Sequence, residues 1–142
     1  MNTITKAWFE NRQIFILTNT GEIYSQPLEV FPSLLDATES QRNEFYIWDE
    51  GHSIRWPNID EDIHISNFYE KAIVNYDNEV NTLLSKMPWL NLTEFANMLG
   101  MHKSKLDRFR YGIWTPSTET LRNIRQKIAE AGSAMCAAAS AS

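Results

Sequence analysis

The hydrophobic pattern changes period partway along the chain, and no single kind of element accommodates both halves. Through about residue 65, apolar and β-branched residues come in short runs, at 4–9, 13–18, 46–48 and 53–56, and Asn19-Thr20-Gly21 signals a turn into a further run at 22–25. From Ser66 onward, Phe68, Ala72, Ile73, Tyr76, Val80, Leu83, Leu84 and Met87 recur at mostly three- and four-residue steps, as on one face of a helix. The first pattern predicts a small antiparallel sheet and the second predicts helices. The expected class is therefore α+β, with the strands and the main run of helices segregated along the chain. A length of 142 residues suits two small domains, each with little core.

Charge divides along the same line. Five Lys or Arg residues face fourteen Asp or Glu through residue 85, whereas eight face four afterwards, within a total net charge of −5. An acidic half disfavours a polyanion and a basic helical half attracts one, so the two halves are expected to meet different partners. No apolar run approaches the length of a membrane span, and the residues from Met1 to Lys6 lack the apolar segment of a secretory signal. The single Cys136 has no partner for an internal disulfide. The expectation is a soluble protein of the reducing cytoplasm.

Several signals mark elements in the acidic half. Thr38 with Gln41 three residues on has the spacing of a capping box and starts a helix at Glu39. Pro57 stops the run before it, and Ile63-His64-Ile65 is a candidate last strand. Asp60, Glu61, Asp62 and His64, with Asp49, Glu50 and His52, offer oxygen and imidazole ligands. Consecutive strand residues point in alternating directions, and His52, His64 and His102 have no metal-ligand spacing, so these groups read as solvated turns. Nothing has the pattern of a nucleophile elbow or a phosphate loop, and neither an enzyme activity, a metal nor a cofactor is expected.

The segment 27–42, PLEVFPSLLDATESQR, followed by 54–63, IRWPNIDEDI, resembles the bacterial domain of unknown function 2442 family. That family shares a P-L-x-x-[FY]-P-x-L-x-x-A-T-x-x-[QE]-R stretch and a later W-P-x-[LI]-D-E-D segment. The resemblance covers about residues 3–70 and implies a small α+β domain. Within it Pro32 suits a first helical position, Leu34 and Leu35 supply core, and Trp56-Pro57 covers a sheet end.

In the basic half, Asn91 with Glu94 caps a helix containing Leu92, Phe95, Ala96 and Leu99, and Gly100 ends it. A second helix begins near His102, buries Leu106 and Phe109 and ends at Gly112. Thr115-Pro116-Ser117 starts a third, with Leu121, Ile124 and Ile128 spaced for burial. Two short helices joined through a glycine turn, with a helix on either side, make a helix-turn-helix arrangement. The expected domains are residues 1–75 and 76–132, with the hinge at 75–78 and a disordered Ala/Ser-rich tail at 133–142.

Residues 95–101, FANMLGM, with Leu106, Phe109, Gly112 and Pro116-Ser117, resemble the lambda-repressor-like (Cro/CI, XRE) helix-turn-helix family over about residues 78–130. The resemblance implies that Lys103, Ser104, Asp107 and Arg108 face the major groove and read bases. His102, Lys105, Arg110, Trp114 and Thr115 are then placed for the DNA backbone, where contacts fix orientation without reading sequence. Three positions depart from the family pattern. Leu92 replaces a phosphate-clamping Gln, His102 replaces a capping Ser or Thr, and Arg110 replaces an acidic residue. The expected function is a sequence-specific transcriptional regulator on double-stranded DNA, homodimeric, with an N-terminal domain that binds a partner or senses. The alternative is an antitoxin-like module whose acidic domain binds a basic protein, with the helix-turn-helix kept for autoregulation or docking.

Overall fold

A computed structural model describes residues 2–140. The chain divides into two compact units, one through Val74 and one from Asn75. Among the described residues these hold two three-stranded antiparallel sheets and six α-helices.

In the first unit β1 (Ile4–Glu10), β2 (Gln13–Thr18) and β3 (Ile23–Pro27) form one sheet in chain order. Asn11 and Arg12 both take positive φ between paired Glu10 and Gln13, a two-residue turn whose twist matches the strands it joins. The alternation along β2 is explicit, with Ile14, Ile16 and Thr18 buried and Phe15 and Leu17 half-buried on the other face. Pro32 opens α1 (Pro32–Asp36), where its missing N–H costs nothing. Helix α2 (Glu39–Arg42) carries both bonds of the capping box, Gln41 N–H to Thr38 Oγ1 at 3.1 Å and Thr38 N–H to Gln41 Oε1 at 2.9 Å.

A single sheet was the expectation for this half, and the structure divides its strands into two. β4 (Tyr46–Trp48), β5 (Ser53–Trp56) and β6 (Glu61–His64) make the second sheet, because the helical insertion separates them from the first meander. Ile14 and Ile16 from the first sheet and Ile54, Trp56 and Ile63 from the second meet with Leu34 in one core. Trp56 is fully buried, and its indole N–H donates to the Arg42 carbonyl at 2.9 Å, so its polar atom is satisfied. The last strand lies at Glu61–His64 rather than 63–65, since Ile65 already begins a 3₁₀ turn, Ile65–Phe68.

The helical stripe expected over 66–87 forms only in part, as that 3₁₀ turn and as α3 (Glu79–Ser85). The buried Gln26 side chain explains the gap. It donates to the carbonyls of Asn67 at 2.8 Å and Glu70 at 2.7 Å and accepts from the Ala72 N–H at 2.9 Å. Backbone groups used in this way are unavailable to a helix ladder. Helix α3 then starts from its own cap, with the Asn78 side chain accepting from the Asn81 N–H at 2.9 Å.

The second unit continues with α4 (Leu92–Met98), α5 (Lys103–Arg110) and α6 (Thr118–Ser140). Val80 and Leu84 of α3, Phe95 and Ala96 of α4, Leu106 and Phe109 of α5 and Ile124 of α6 close its core. Helix α6 runs through residues 133–140, where a disordered tail was expected. Alanine has the highest helix propensity, and these residues are exposed, Cys136 among them. Ala141 and Ser142 lie outside the described residues. Among the described residues no helix is long and apolar enough to cross a membrane.

Candidate nucleic-acid interface

The cation-rich surface of the second unit is built by two short helices and the turn between them. The Asn91 side chain caps α4 by accepting from the Glu94 N–H at 3.1 Å. Ala96 is fully buried, and its carbonyl accepts from Leu99 and Met101, both at 3.0 Å, as the chain reverses. Gly100 makes that reversal at φ +72, with open space where a Cβ would stand, so the conformation alone selects glycine. His102 serves as the cap of α5, its Nδ1 accepting from the Ser104 N–H at 3.4 Å and lying 3.0 Å from Ser104 Oγ.

Leu106 and Phe109 turn α5 inward, leaving His102 and Lys105 exposed and Lys103, Ser104, Arg108 and Arg110 partly exposed. Asp107, expected among the base readers, is instead buried, its side chain only 1% accessible. Lys103 Nζ stands 2.6 Å from Asp107 Oδ2, and Arg110 Nη1 stands 2.8 Å from Asp107 Oδ1. The two cations offset the desolvation of the carboxylate and lose freedom in doing so. Arg110 is further spent inside the fold, since its guanidinium lies 5.3 Å from the Tyr111 ring and its carbonyl accepts from Asn78 at 2.9 Å. Its buried Nε has no hydrogen-bond partner.

Arg108 has a different environment. Its guanidinium lies 4.9 Å from the centre of the Trp114 ring, and its carbonyl accepts from the Ile113 and Trp114 N–H groups at 3.0 and 3.3 Å. Trp114 is nearly half exposed and meets Phe109 edge-on at 6.3 Å, so the ring joins core to surface. Thr115 is exposed beside it, and Ser117 Oγ caps α6 by accepting from the Thr120 N–H at 3.1 Å. Leu92, expected from the sequence to stand where a phosphate-clamping Gln would, packs against the core of this unit. Two features escaped the sequence reading: the Asp107 clamp and the Arg108–Trp114 stack. The i,i+4 and i,i+3 spacings of Lys103, Asp107 and Arg110 signal the first, and no local spacing signals the second.

The carboxylates of the first unit occupy separate structural positions. Asp49, Glu50 and Asp60 take positive φ in the turns around β5. Asp60 accepts from Arg55 at 2.7 Å, Asp62 accepts from the Trp48 indole at 3.3 Å, and Glu61 accepts from the Ser33 hydroxyl. The bond from Asp60 holds the Arg55 guanidinium above its ordinary pKa. Among the described residues no three His, Cys, Asp or Glu side chains cluster as a metal site.

Comparison with protein families places the first unit. The family described as "Protein of unknown function (DUF2442)" matches residues 4–74, half of the chain. The chain belongs to this family. Its DUF2442 domain spans both sheets and α1 and α2 and ends at the boundary between the two units. A solved structure of a protein of unknown function from Rhodospirillum rubrum ATCC 11170 is similar at 17% identity, covering 47% of this chain and 83% of that one with a TM-score of 0.43. No curated protein matches the chain.

Proposed function

We propose that the second unit is a helix-turn-helix DNA-binding domain of a sequence-specific transcriptional regulator, with α5 as the helix that enters the major groove. The observation that carries this reading is the arrangement of α4 and α5. They meet through Ala96, Leu99 and Leu106 across the Gly100 turn, and α5 turns Ser104, Lys105 and Arg108 outward. Arg108 would donate to guanine O6 and N7 and Ser104 would adapt to several base edges. His102, Lys105 and Thr115 would meet phosphates, and Lys103 would act from its seat on Asp107. Asp107 itself takes the role of holding cations and leaves the set of base readers.

The regulator acts as a homodimer, so that two copies of α5 meet half-sites about one helical turn apart. The DUF2442 domain, which carries most of the chain's acidic residues, binds a partner or senses. A second reading, an antitoxin-like module, is favoured by that acidity: exposed Asp49, Glu50, Asp60, Asp62 and Glu70 suit a basic protein.

The test is a nuclear magnetic resonance titration of the full chain with duplex DNA from its own upstream region. The regulator reading predicts shifts concentrated on residues 102–108 and 114–115. Shifts confined to the DUF2442 domain, or absent at low salt, would contradict it.

A further inference from the structure

At the C-terminal end of α5, Phe109, Trp114, Pro116 and Leu121 supply apolar walls to an open cavity of about 260 Å³. Its other lining includes Asn75, Asn78, Glu79 and Thr115. The backbone frame is tightly set: Gly112 has φ +74, and a Cβ there would stand 2.2 Å from the Asn75 carbonyl oxygen. The Asn75 N–H donates to the Tyr111 carbonyl at 2.9 Å, closing the same corner. Asn78 is spent inside the fold, donating to the carbonyls of Asn75 and Arg110 and accepting from the Asn81 N–H.

Among the lining groups, the Glu79 carboxylate, which also pairs with Arg125, and the Thr115 hydroxyl can accept a hydrogen bond from an occupant. Aromatic walls favour a planar ring, and acceptors at the lining favour an N–H on it. An apolar cavity of roughly 150 Å³ holds one benzene ring, so the larger volume here suits two fused rings.

Trp114 links this cavity to the outer face of α5, because the ring that lines it also carries the Arg108 guanidinium. We propose that the cavity binds a small planar aromatic molecule bearing an N–H group, and that occupancy is transmitted through Trp114 to Arg108. The consequence for DNA rests on the reading of α5 as a DNA reader, whereas the binding and its effect on Arg108 do not.

Indole is the probe, titrated into the full ¹⁵N-labelled chain without DNA. The expected result is a saturable shift of the Trp114 Nε1–H resonance, assigned by its loss in Trp114→Phe, together with shifts at Gly112, Leu121 and the Arg108 Nε–H. Thr115→Trp, at an exposed lining position, should weaken binding at least tenfold with an unchanged circular dichroism spectrum; Leu121→Trp is the second cavity-filling variant. An absent or non-saturable response, a response centred on another tryptophan, or equal binding by both filled variants would overturn the site. Saturation at Trp114 with no change at Arg108 would overturn the transmission. Because DNA is absent, these outcomes are separate from the success or failure of DNA binding.

Discussion

The buried Asp107 carboxylate binds Lys103 at 2.6 Å, four residues before it on α5, and Arg110 at 2.8 Å, three residues after it. A residue whose type and place suggest a contact to cytosine is therefore an internal anchor for the cations of its own helix. Asp107→Asn keeps the shape and removes the charge that both cations share. Stability should fall by about 2–3 kcal/mol, less than for a wholly buried pair because Lys103 and Arg110 keep some access to water. Urea unfolding of the full chain reads this directly, and an unchanged midpoint would place the carboxylate in solvent.

Gly100 and Gly112 offer an internal comparison. Both take left-handed φ, but only Gly112 meets a backbone atom where a Cβ would go. Gly100→Ala should cost about 1 kcal/mol, the conformational term alone. Gly112→Ala should cost more and disorder the corner at Asn75, seen as loss of protection of the Asn75 amide in hydrogen exchange. Equal midpoints for the two variants would mean that the Asn75 backbone yields freely.

Gln26 accounts for the largest difference between the sequence pattern and the fold. Gln26→Leu removes three hydrogen bonds to residues 67–72 and leaves a carbonyl or N–H unpaired at each site the solvent cannot reach. A loss of about 2–3 kcal/mol is expected, with faster exchange of the Ala72 amide. Retention of slow exchange at Ala72 would assign its protection to another group.

Much of the architecture was legible because its causes are local. The strands at 13–18, 46–48 and 53–56 follow from short β-branched and aromatic runs, and the cap at Thr38 from a four-residue spacing. The same holds for the Asn91 cap and the Gly100 turn. What was not legible depends on partners distant in sequence. Gln26 reaches 41 to 46 residues along the chain to hold Asn67, Glu70 and Ala72, which removes a helix that the apolar spacing alone predicts. The division into two sheets likewise depends on what α1 and α2 separate. At the candidate site, Lys105 and Arg108 face outward as helical period requires, whereas Asp107 faces inward because two cations offset its burial.

Arg108 and Lys105 should separate base reading from charge attraction. Arg108→Ala should cost on the order of 1–3 kcal/mol and relax preference at one base position. Lys105→Ala should weaken all sequences alike and reduce the salt slope by about one. Competition binding on an operator and its single-base variants distinguishes the two patterns. A uniform loss for Arg108→Ala would move it to the set of backbone contacts.

On the proposed reading, the second unit binds duplex DNA through α5. The most direct measurement of that binding is fluorescence anisotropy of the full chain on duplex DNA from its own upstream region and on a scrambled duplex, across a series of salt concentrations. The account predicts binding that weakens steeply and log-linearly with salt, as each neutralised phosphate releases counterions, and tighter binding to the upstream sequence. Absence of binding to either duplex at low salt would contradict it.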